Sequence, residues 1–422
     1  MQISVVGMGY VGLPLMMEFA RAGFRVLGVD VNPERAAAVN AGESHVGDVP
    51  SEQLRGHVEA GLITATTDFA AIEDCSAVYI CVPTPLRKSL DPDISHIVAA
   101  VDEIARRVTP GMLVVLESTT YPGTTEEVVL PRFTERGLQV GRDFYLAFSP
   151  ERVDPGNQQY NTRNTPKVVG GVTPACTEKA VALYERAIDK VVPVGSARAA
   201  EMVKLLENTF RAINIGLVNE LAIICDRLGI DIWEVIEAAK TKPFGFMPFY
   251  PGPGLGGHCL PIDPLYLSWK LRTVNYTARF IDLASSVNSN MPEYVVDKLT
   301  EALNNHEKSV KGSRILILGV AYKKDVSDVR ESPALDIMAL LRRKGAKLSY
   351  ADPHVPELKL IDERYQHYDL AQGLGEFDCV VIATDHSAFD YADVLRQSRL
   401  VYDCRNATAG LDCPGTCELV KL

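Results

Sequence analysis

The densest concentration of reactive residue types lies at Gly252-Pro253-Gly254-Leu255-Gly256-Gly257-His258-Cys259-Leu260-Pro261-Ile262-Asp263-Pro264. Four glycines in the six residues 252–257 allow backbone to approach a ligand closely. Cys259 follows, with a histidine before it and an aspartate four residues on. Such a thiol is a candidate nucleophile, and a nearby cation such as Lys204 would favour its thiolate. The plainer alternative is a small buried cysteine after a turn. The glycine run ahead of it favours chemistry.

A second motif opens the chain, Gly7-Met8-Gly9-Tyr10-Val11-Gly12. It follows a predicted strand and opens a predicted helix, with Asp30 closing the second strand. Glycines here admit a pyrophosphate, the helix N-terminus favours its charge, and the carboxylate accepts from ribose hydroxyls. Asp30 repels a 2′-phosphate, so the expected cofactor is NAD, a preference that nearby Arg35 weakens slightly. A tight strand–helix turn without ligand is the alternative.

Further candidates sit where strands end. Thr84 lies in Val82-Pro83-Thr84-Pro85 and Thr119 in Glu117-Ser118-Thr119-Thr120. Both place small hydroxyls beyond carboxyl ends of strands, where doubly wound sheets bind ligands. Ordinary turn chemistry explains either one equally well. Glu151, Arg152 and Asp154 share a prolyl loop, 148–156, open between a solvated charge run and a site. Glu201, Lys204, Asn208 and Arg211 recur at three- and four-residue steps, so they share one helix face, turned either to solvent or to a ligand. Lys323 and Arg330, in the 319–332 stretch, can neutralise a diphosphate, as can Arg405 after the last predicted strand.

The elements that position these residues follow from periodicity. Strands are predicted at 2–6, 25–29, 77–82 and 112–117, with weaker signals at 144–148 and 167–169. Helical patterns fall at about 11–22, 33–41, 93–107 and 124–136. This alternation means βαβ units and a parallel sheet. A long helix is predicted over 198–228, stopped by Gly229 and running about 46 Å at ~1.5 Å per residue. It is expected to bridge domains and carry a subunit interface. Helix continues to about 240, then a Pro/Gly/aromatic loop spans 241–257. After a polar linker at 305–313, strands at 314–318, 347–350, 378–383 and 399–402, with a helix at 333–344, make a second βαβ-type domain. The fold class is therefore α/β: two Rossmann-like doubly wound domains joined by a long helix and a helical centre. The expected divisions are 1–197, 198–304 and 305–422.

Composition bounds the rest. The 422 residues are 47% hydrophobic and 23% charged, which excludes wholesale disorder. The net charge of −11 argues against nucleic acid as the main partner. No apolar run reaches the length of a membrane span, and the N-terminus opens directly on a strand rather than a signal peptide. Nine thinly spread cysteines suggest a reducing cytoplasm without a disulfide framework. Cys404, Cys413 and Cys417 lack metal-site spacing and read as part of a plain tail, so no metal is expected.

Taken together, GMGYVGLP, VPTP, EST, FSPER, KLLENTFRAINIGLVNE, GPGLGGHCLPIDP and AYKKDVSDVRES occur in one order over roughly 1–410. The chain thereby resembles the UDP-glucose/GDP-mannose dehydrogenase family. TKPFGF with GPGLGGHC is most similar to the bacterial branch acting on UDP-N-acetylglucosamine, and the UDP-N-acetylmannosamine enzymes share much of it. The resemblance implies a four-electron oxidation of a sugar C6 alcohol with two NAD⁺, for a surface-polysaccharide precursor. It implies Cys259 as nucleophile, giving a thiohemiacetal and then a thioester. Lys204 serves as base or oxyanion stabiliser, Asp263 orders a water, and Asn208 holds the oxyanion. Glu151 and Thr119 lie near the catalytic water and the nicotinamide. Gly7, Gly9, Tyr10, Val11, Gly12, Asp30, Arg35, Thr84, Thr119 and Arg330 are implied on the cofactor side. Arg152, Tyr250, Gly256, Tyr322, Lys323 and Arg405 are implied on the UDP-sugar side. A homodimer or higher homo-oligomer is also implied.

One departure concerns the substrate. Glucose-oxidising relatives carry an arginine from the partner subunit in the loop before the cysteine. Here 241–257 offers only Lys242 as a cation, which fits an acetamido-bearing sugar. Two rivals stand beside this reading. A non-catalytic nucleotide-sugar binder would have no use for Cys259 with Lys204, and a two-electron 2-hydroxyacid dehydrogenase would need no cysteine.

Overall fold

The computed structural model describes residues 1–422 apart from 88–90, 155–156, 158, 258 and 361–362 and the side chain of residue 366. His258, Pro155 and Gly156, which belong to motifs noted above, lie outside the described residues. The chain divides into two compact units, Met1–Glu207 with Leu265–Thr277, and Asn208–Pro264 with Ala278–Leu422.

In the first unit the β-branched runs form strands β1 (Gln2–Val6), β2 (Arg25–Val29), β3 (Ile63–Thr66), β4 (Ala77–Ile80), β5 (Leu113–Leu116), β6 (Tyr145–Phe148), β7 (Lys167–Gly171) and β8 (Val191–Pro193). Among the described residues these make one eight-stranded sheet in the order β3-β2-β1-β4-β5-β6-β7-β8. All neighbours run parallel except β6 and β7. Near-continuous apolar strands suit this sheet because helices cover both faces. Local chemistry fixes the helix ends. Asn32 caps Pro33–Asn40 by accepting from the backbone N–H of Glu34 and Arg35, and Thr173 caps Pro174–Tyr184. The expected helix at 124–136 is a π-helical stretch, Thr125–Val129, followed by a short α-helix, Leu130–Thr134.

The long helix runs Ala197–Leu228, and Gly229 leaves it in the left-handed region at φ +69°. The division between the units falls inside it, between Glu207 and Asn208. In the second unit it packs on Arg279–Asn305, a 27-residue helix with Pro292 inside it that periodicity did not predict. Gly216 marks the crossing, since a Cβ there would sit 3.2 Å from the Ala284 backbone. Asn219 donates to Asn288 at 2.8 Å and accepts from the Gly252 N–H at 2.9 Å, so the glycine loop is tied to both helices.

The second sheet comprises β9 (Arg314–Leu318), β10 (Lys347–Ala351), β13 (Cys379–Ile382), β14 (Leu400–Asp403) and β15 (Glu418–Lys421), all parallel, in the order β10-β9-β13-β14-β15. A separate hairpin pairs β11 (Glu357–Leu360) with β12 (Glu363–Gln366). β15 corrects the reading of the C-terminal stretch as a plain tail and of Arg405 as following the last strand. A short apolar pair, Leu419 and Val420, sufficed for an edge strand, and the final Leu422 carbonyl accepts from Trp233 Nε1 at 2.9 Å.

Candidate active site

The first unit builds its ligand cradle from the β1 turn. Gly7 adopts φ +92° and abuts the Cys81 carbonyl, where a Cβ would come within 2.6 Å. A Cβ on Gly12 would meet the Gly7 carbonyl at 1.9 Å. Among the described residues, chain neighbours aside, no atom lies within 4 Å of where a Gly9 Cβ would be. Two glycines therefore make the tight turn, while the third leaves backbone open to an approaching pyrophosphate. Tyr10 is exposed and Val11 half-buried beside it. Asp30, 5% exposed, accepts from the Met8 N–H at 2.9 Å, the Asn32 N–H at 3.0 Å and Arg35 Nη1 at 3.0 Å. Arg35 is thus drawn onto Asp30, which keeps a carboxylate at the end of β2. This cradle fits a dinucleotide.

Thr84 is buried, and its carbonyl accepts from Tyr266 Oη at 2.7 Å. Thr119 Oγ1 lies 2.6 Å from Lys204 Nζ, and Lys204 is only 8% exposed. One turn earlier Glu201, 1% exposed, accepts from the Gly123 N–H at 2.6 Å and from the Thr125 N–H and Oγ1 at 2.8 and 2.7 Å. The face that carries Glu201 and Lys204 is therefore turned inward, clamping the loop after β5. Burial pushes Glu201 up to about 7, against the pull of the Thr125 and Gly123 hydrogen bonds.

Glu151 follows β6 and accepts on Oε1 from the Arg152 and Val153 N–H groups at 2.7 and 2.8 Å. Its Oε2 lies 3.2 Å from Lys167 Nζ. Arg152 turns away onto Glu207, with Nη2 at 2.6 Å from its carboxylate. Sequence reasoning missed Lys167 and its second partner Glu117, 2.6 Å away, because their contact spans 50 residues. The one available signal was a lysine opening an otherwise apolar strand.

In the second unit Cys259 is exposed at the turn that leads into helix Asp263–Arg272. Its carbonyl accepts from the Asp263 N–H at 2.8 Å and the Ile262 N–H at 3.1 Å. Asp263, 2% exposed, receives Asn208 Nδ2 at 2.6 Å. The glycine loop lies against protein as well as carrying the cysteine. Added Cβ atoms at Gly256 and Gly257 would meet the Tyr322 side chain at 2.7 and 2.8 Å, and one at Gly252 would meet Arg405 at 2.5 Å. Three of these glycines therefore make room for the side chains of Tyr322 and Arg405. The Gly257 N–H also donates to the Arg330 carbonyl at 3.1 Å.

Tyr250 stacks on Trp233 with ring centres 6.2 Å apart, and both line a cavity of about 320 Å³ with Pro251, Asp385, Arg405 and Asn406. Tyr250 and Arg405, far apart in sequence, thus share one pocket. Lys323 is half-buried in the turn after β9, and Arg330 folds back on Asp328 at 2.6 Å. Nearby, His386 is locked between the Asp325 N–H at 2.9 Å on Nδ1 and Asp352 at 3.0 Å on Nε2. Asp325, His354 and His386 form a compact cluster, but both ring nitrogens of His386 serve this hydrogen-bonded frame of the turn.

A dinucleotide cradle at one sheet fits an NAD-dependent oxidoreductase, and the pocket beside the other offers the Arg405 guanidinium to an anionic substrate. Comparison with known proteins agrees. Family models match for the UDP-glucose/GDP-mannose dehydrogenase family: its NAD binding domain over residues 1–188, central domain over 198–290 and UDP binding domain over 316–410. The chain is 34% identical over 395 residues to UDP-N-acetyl-D-glucosamine 6-dehydrogenase of Pseudomonas aeruginosa, covering 92% of this chain and 91% of that one. It is 35% identical over 413 residues to NDP-N-acetyl-D-galactosaminuronic acid dehydrogenase of Ralstonia solanacearum, covering 96% and 95%. Its fold matches the structure of the UDP-D-ManNAc dehydrogenase of Pyrococcus horikoshii with a TM-score of 0.91 at 33% identity, over 100% of this chain and 99% of that one. The chain belongs to the UDP-glucose/GDP-mannose dehydrogenase family and is an NAD-dependent nucleotide-sugar 6-dehydrogenase with a UDP-sugar substrate. The non-catalytic binder and the 2-hydroxyacid dehydrogenase are set aside. Among the described residues no helix is long and apolar enough to cross a membrane.

Proposed function

We propose that the enzyme oxidises C6 of UDP-N-acetylglucosamine from alcohol to carboxylate, with Cys259 as the covalent nucleophile. NAD, when bound, accepts a hydride from C6 in each of two oxidations. An aldehyde has no second hydride to give at the acid level until a nucleophile adds. The Cys259 thiolate forms the C–S bond as the carbonyl π bond opens, and the negative charge passes to the oxygen of the thiohemiacetal. We assign the holding of that oxygen to the Lys204 ammonium and the Asn208 amide. After the second oxidation the acyl group rests on sulfur as a thioester. Asp263 orders the water that adds to it, the C–S bond breaks and the thiolate leaves. Thr119 holds Lys204, and Glu151 provides a further carboxylate for the water or a sugar hydroxyl.

The observation that carries this reading is an exposed cysteine one turn ahead of a buried aspartate that Asn208 already orients. Lys242 as the one cation of 241–257 supports an acetamido sugar over glucose. UDP-N-acetylmannosamine is the second reading, since relatives named for it are 35% identical. We further propose the three-part organisation 1–197, 198–304 and 305–422, a cytoplasmic setting, and a surface-polysaccharide precursor as product. A homodimer or higher oligomer would cover Phe210, Leu217, Leu221 and Ile224, exposed along the long helix.

The test is to count NADH per sugar over a panel of UDP-sugars. Two per UDP-N-acetylglucosamine supports the full oxidation, and one, with aldehyde accumulating, refutes it. A higher kcat/KM for UDP-N-acetylmannosamine or UDP-glucose would move the substrate assignment.

A further inference from the structure

The buried charges of the first unit converge on one point. Glu117 is the first residue after β5, and Glu151 stands three residues beyond β6. Lys167 opens β7. β7 is the strand that runs antiparallel to its neighbour β6, with Ala147 opposite Gly171 and Phe148 opposite Gly170. Carrying that register three steps further sets Lys167 opposite Glu151. A reversed strand thus delivers its first residue to the carboxyl end of the sheet, the end where such folds hold ligands. A parallel strand would have delivered it to the other end.

Lys167 Nζ lies 2.6 Å from Glu117 Oε2 and 3.2 Å from Glu151 Oε2. The Tyr184 hydroxyl donates to the other Glu117 oxygen. Side-chain exposure is 0% for Glu117, 4% for Lys167 and 13% for Glu151, so Glu151 is the most accessible member of the trio. Both of its oxygens are held, one by two backbone N–H groups and one by Lys167. An isolated buried ammonium would be costly, and here two carboxylates compensate it.

We propose that Lys167, backed by Glu117, is a positioning residue that holds the Glu151 carboxylate in place as a hydrogen-bond acceptor, so that Glu151 orients a substrate hydroxyl or water. This rests on the reading of Glu151 as a site residue. The electrostatics agree with the geometry. Burial would raise the Glu151 carboxyl, yet the Lys167 ammonium and the Val153 and Arg152 N–H groups outweigh it and hold it below its usual range. The groups facing the trio are the Cys81 thiol and the Tyr79 and Tyr184 phenols, all pushed up by burial and so neutral. The Arg152 guanidinium is committed to Glu207.

The test uses full-length Lys167→Met, Lys167→Arg, Glu117→Gln and Glu151→Gln, with kcat and KM measured from pH 3.5 to 9. Lys167→Met is expected to lower kcat about 10- to 100-fold with little change in KM, as misplacement of a site group does. It should also move the acid limb of the profile up by about one pH unit. Lys167→Arg should restore most of the rate. Glu117→Gln should move the acid limb down, because the ammonium then serves Glu151 alone. Equal losses in the Met and Arg variants, or acid limbs that stay put or move together, overturn the proposal. If Lys167→Met does not fold, the Arg and Glu117→Gln profiles decide it by the same criteria. Adding Lys167→Arg or Lys167→Met to Glu151→Gln should cost nothing further, and an additional loss would show that Lys167 acts elsewhere. Unchanged activity of Glu151→Gln alone is a separate outcome, which removes Glu151 from the site.

Discussion

Asn208 Nδ2 lies 2.6 Å from Asp263 Oδ2, joining the long helix to the first residue of the helix that follows the cysteine turn. The carboxylate is almost wholly buried, so loss of this hydrogen bond to a charged group costs about 1–3 kcal/mol. Asn208→Ala is expected to lower the melting temperature measurably and to reduce acid formation more than NAD binding. Asp263→Asn, which keeps the shape, should melt close to wild type and still lose acid formation. Differential scanning fluorimetry with NADH counting separates the two effects. Full activity in Asp263→Asn would remove that carboxylate from the chemistry.

The three fingerprint glycines differ in what a methyl group would meet, and so should their variants. Gly12→Ala forces a Cβ to 1.9 Å from the Gly7 carbonyl, so the turn must open and the fold should suffer. Gly9→Ala meets no atom of the described residues within 4 Å beyond its chain neighbours. Its melting temperature should stay near wild type while NAD affinity falls about tenfold or more, since the close backbone approach is lost. Asp30→Ala should likewise weaken NAD far more than the sugar nucleotide. Isothermal titration with both ligands checks this, and wild-type NAD affinity in Gly9→Ala would contradict the cradle.

Much of this architecture is readable in the chain because strand runs such as Ala77–Ile80 and Leu113–Leu116 are apolar on both faces and bounded by turns. The long helix was legible from its unbroken periodicity and Gly229. Helix Arg279–Asn305 was not, although Met291, Val295, Val296 and Leu299 bury one stripe, because Pro292 interrupts it and Phe280 and Leu283, apolar but exposed, lie off that stripe and blur the period. At the site, motifs local in sequence were visible and tertiary pairings were not. Glu201 belonged to a polar stripe whose direction periodicity cannot give, and it proved buried. Lys167, Glu117 and Tyr184 share no local pattern, since their contacts span 50 and 67 residues.

Glu201 makes stability depend on pH in a defined sense. Burial raises its carboxyl from 4.5 to about 7, so the folded protein holds the proton more tightly than the unfolded chain does. That contribution is complete below about 4.5 and is lost as pH rises through about 7. A tenfold change in proton affinity is worth ~1.4 kcal/mol, which makes the full contribution on the order of 3 kcal/mol. Glu201→Gln stays neutral throughout and lacks the decline. The melting temperature of wild type relative to Glu201→Gln should therefore fall between pH 5 and 8. Parallel curves across that range would show that Glu201 does not titrate there.

The covalent role of Cys259 has the sharpest consequence. Seven of the nine cysteines are buried, and only Cys259 and Cys413 are exposed. Iodoacetamide should therefore label these two first, and a Cys413→Ala background should leave Cys259 as the site of early modification. In that background labelling is expected to run in step with loss of acid formation, and saturating UDP-sugar should slow both. Cys259→Ala should still bind NAD and the sugar nucleotide by calorimetry, because the cradle of Gly7, Gly9 and Asp30 and the pocket of Tyr250 and Arg405 do not use the thiol. It should release no carboxylate, since nothing then adds to the C6 aldehyde to make a second hydride available. If Cys259→Ala yielded two NADH per sugar at the wild-type rate, water alone would be adding to the aldehyde and the thioester would have no place in the reaction.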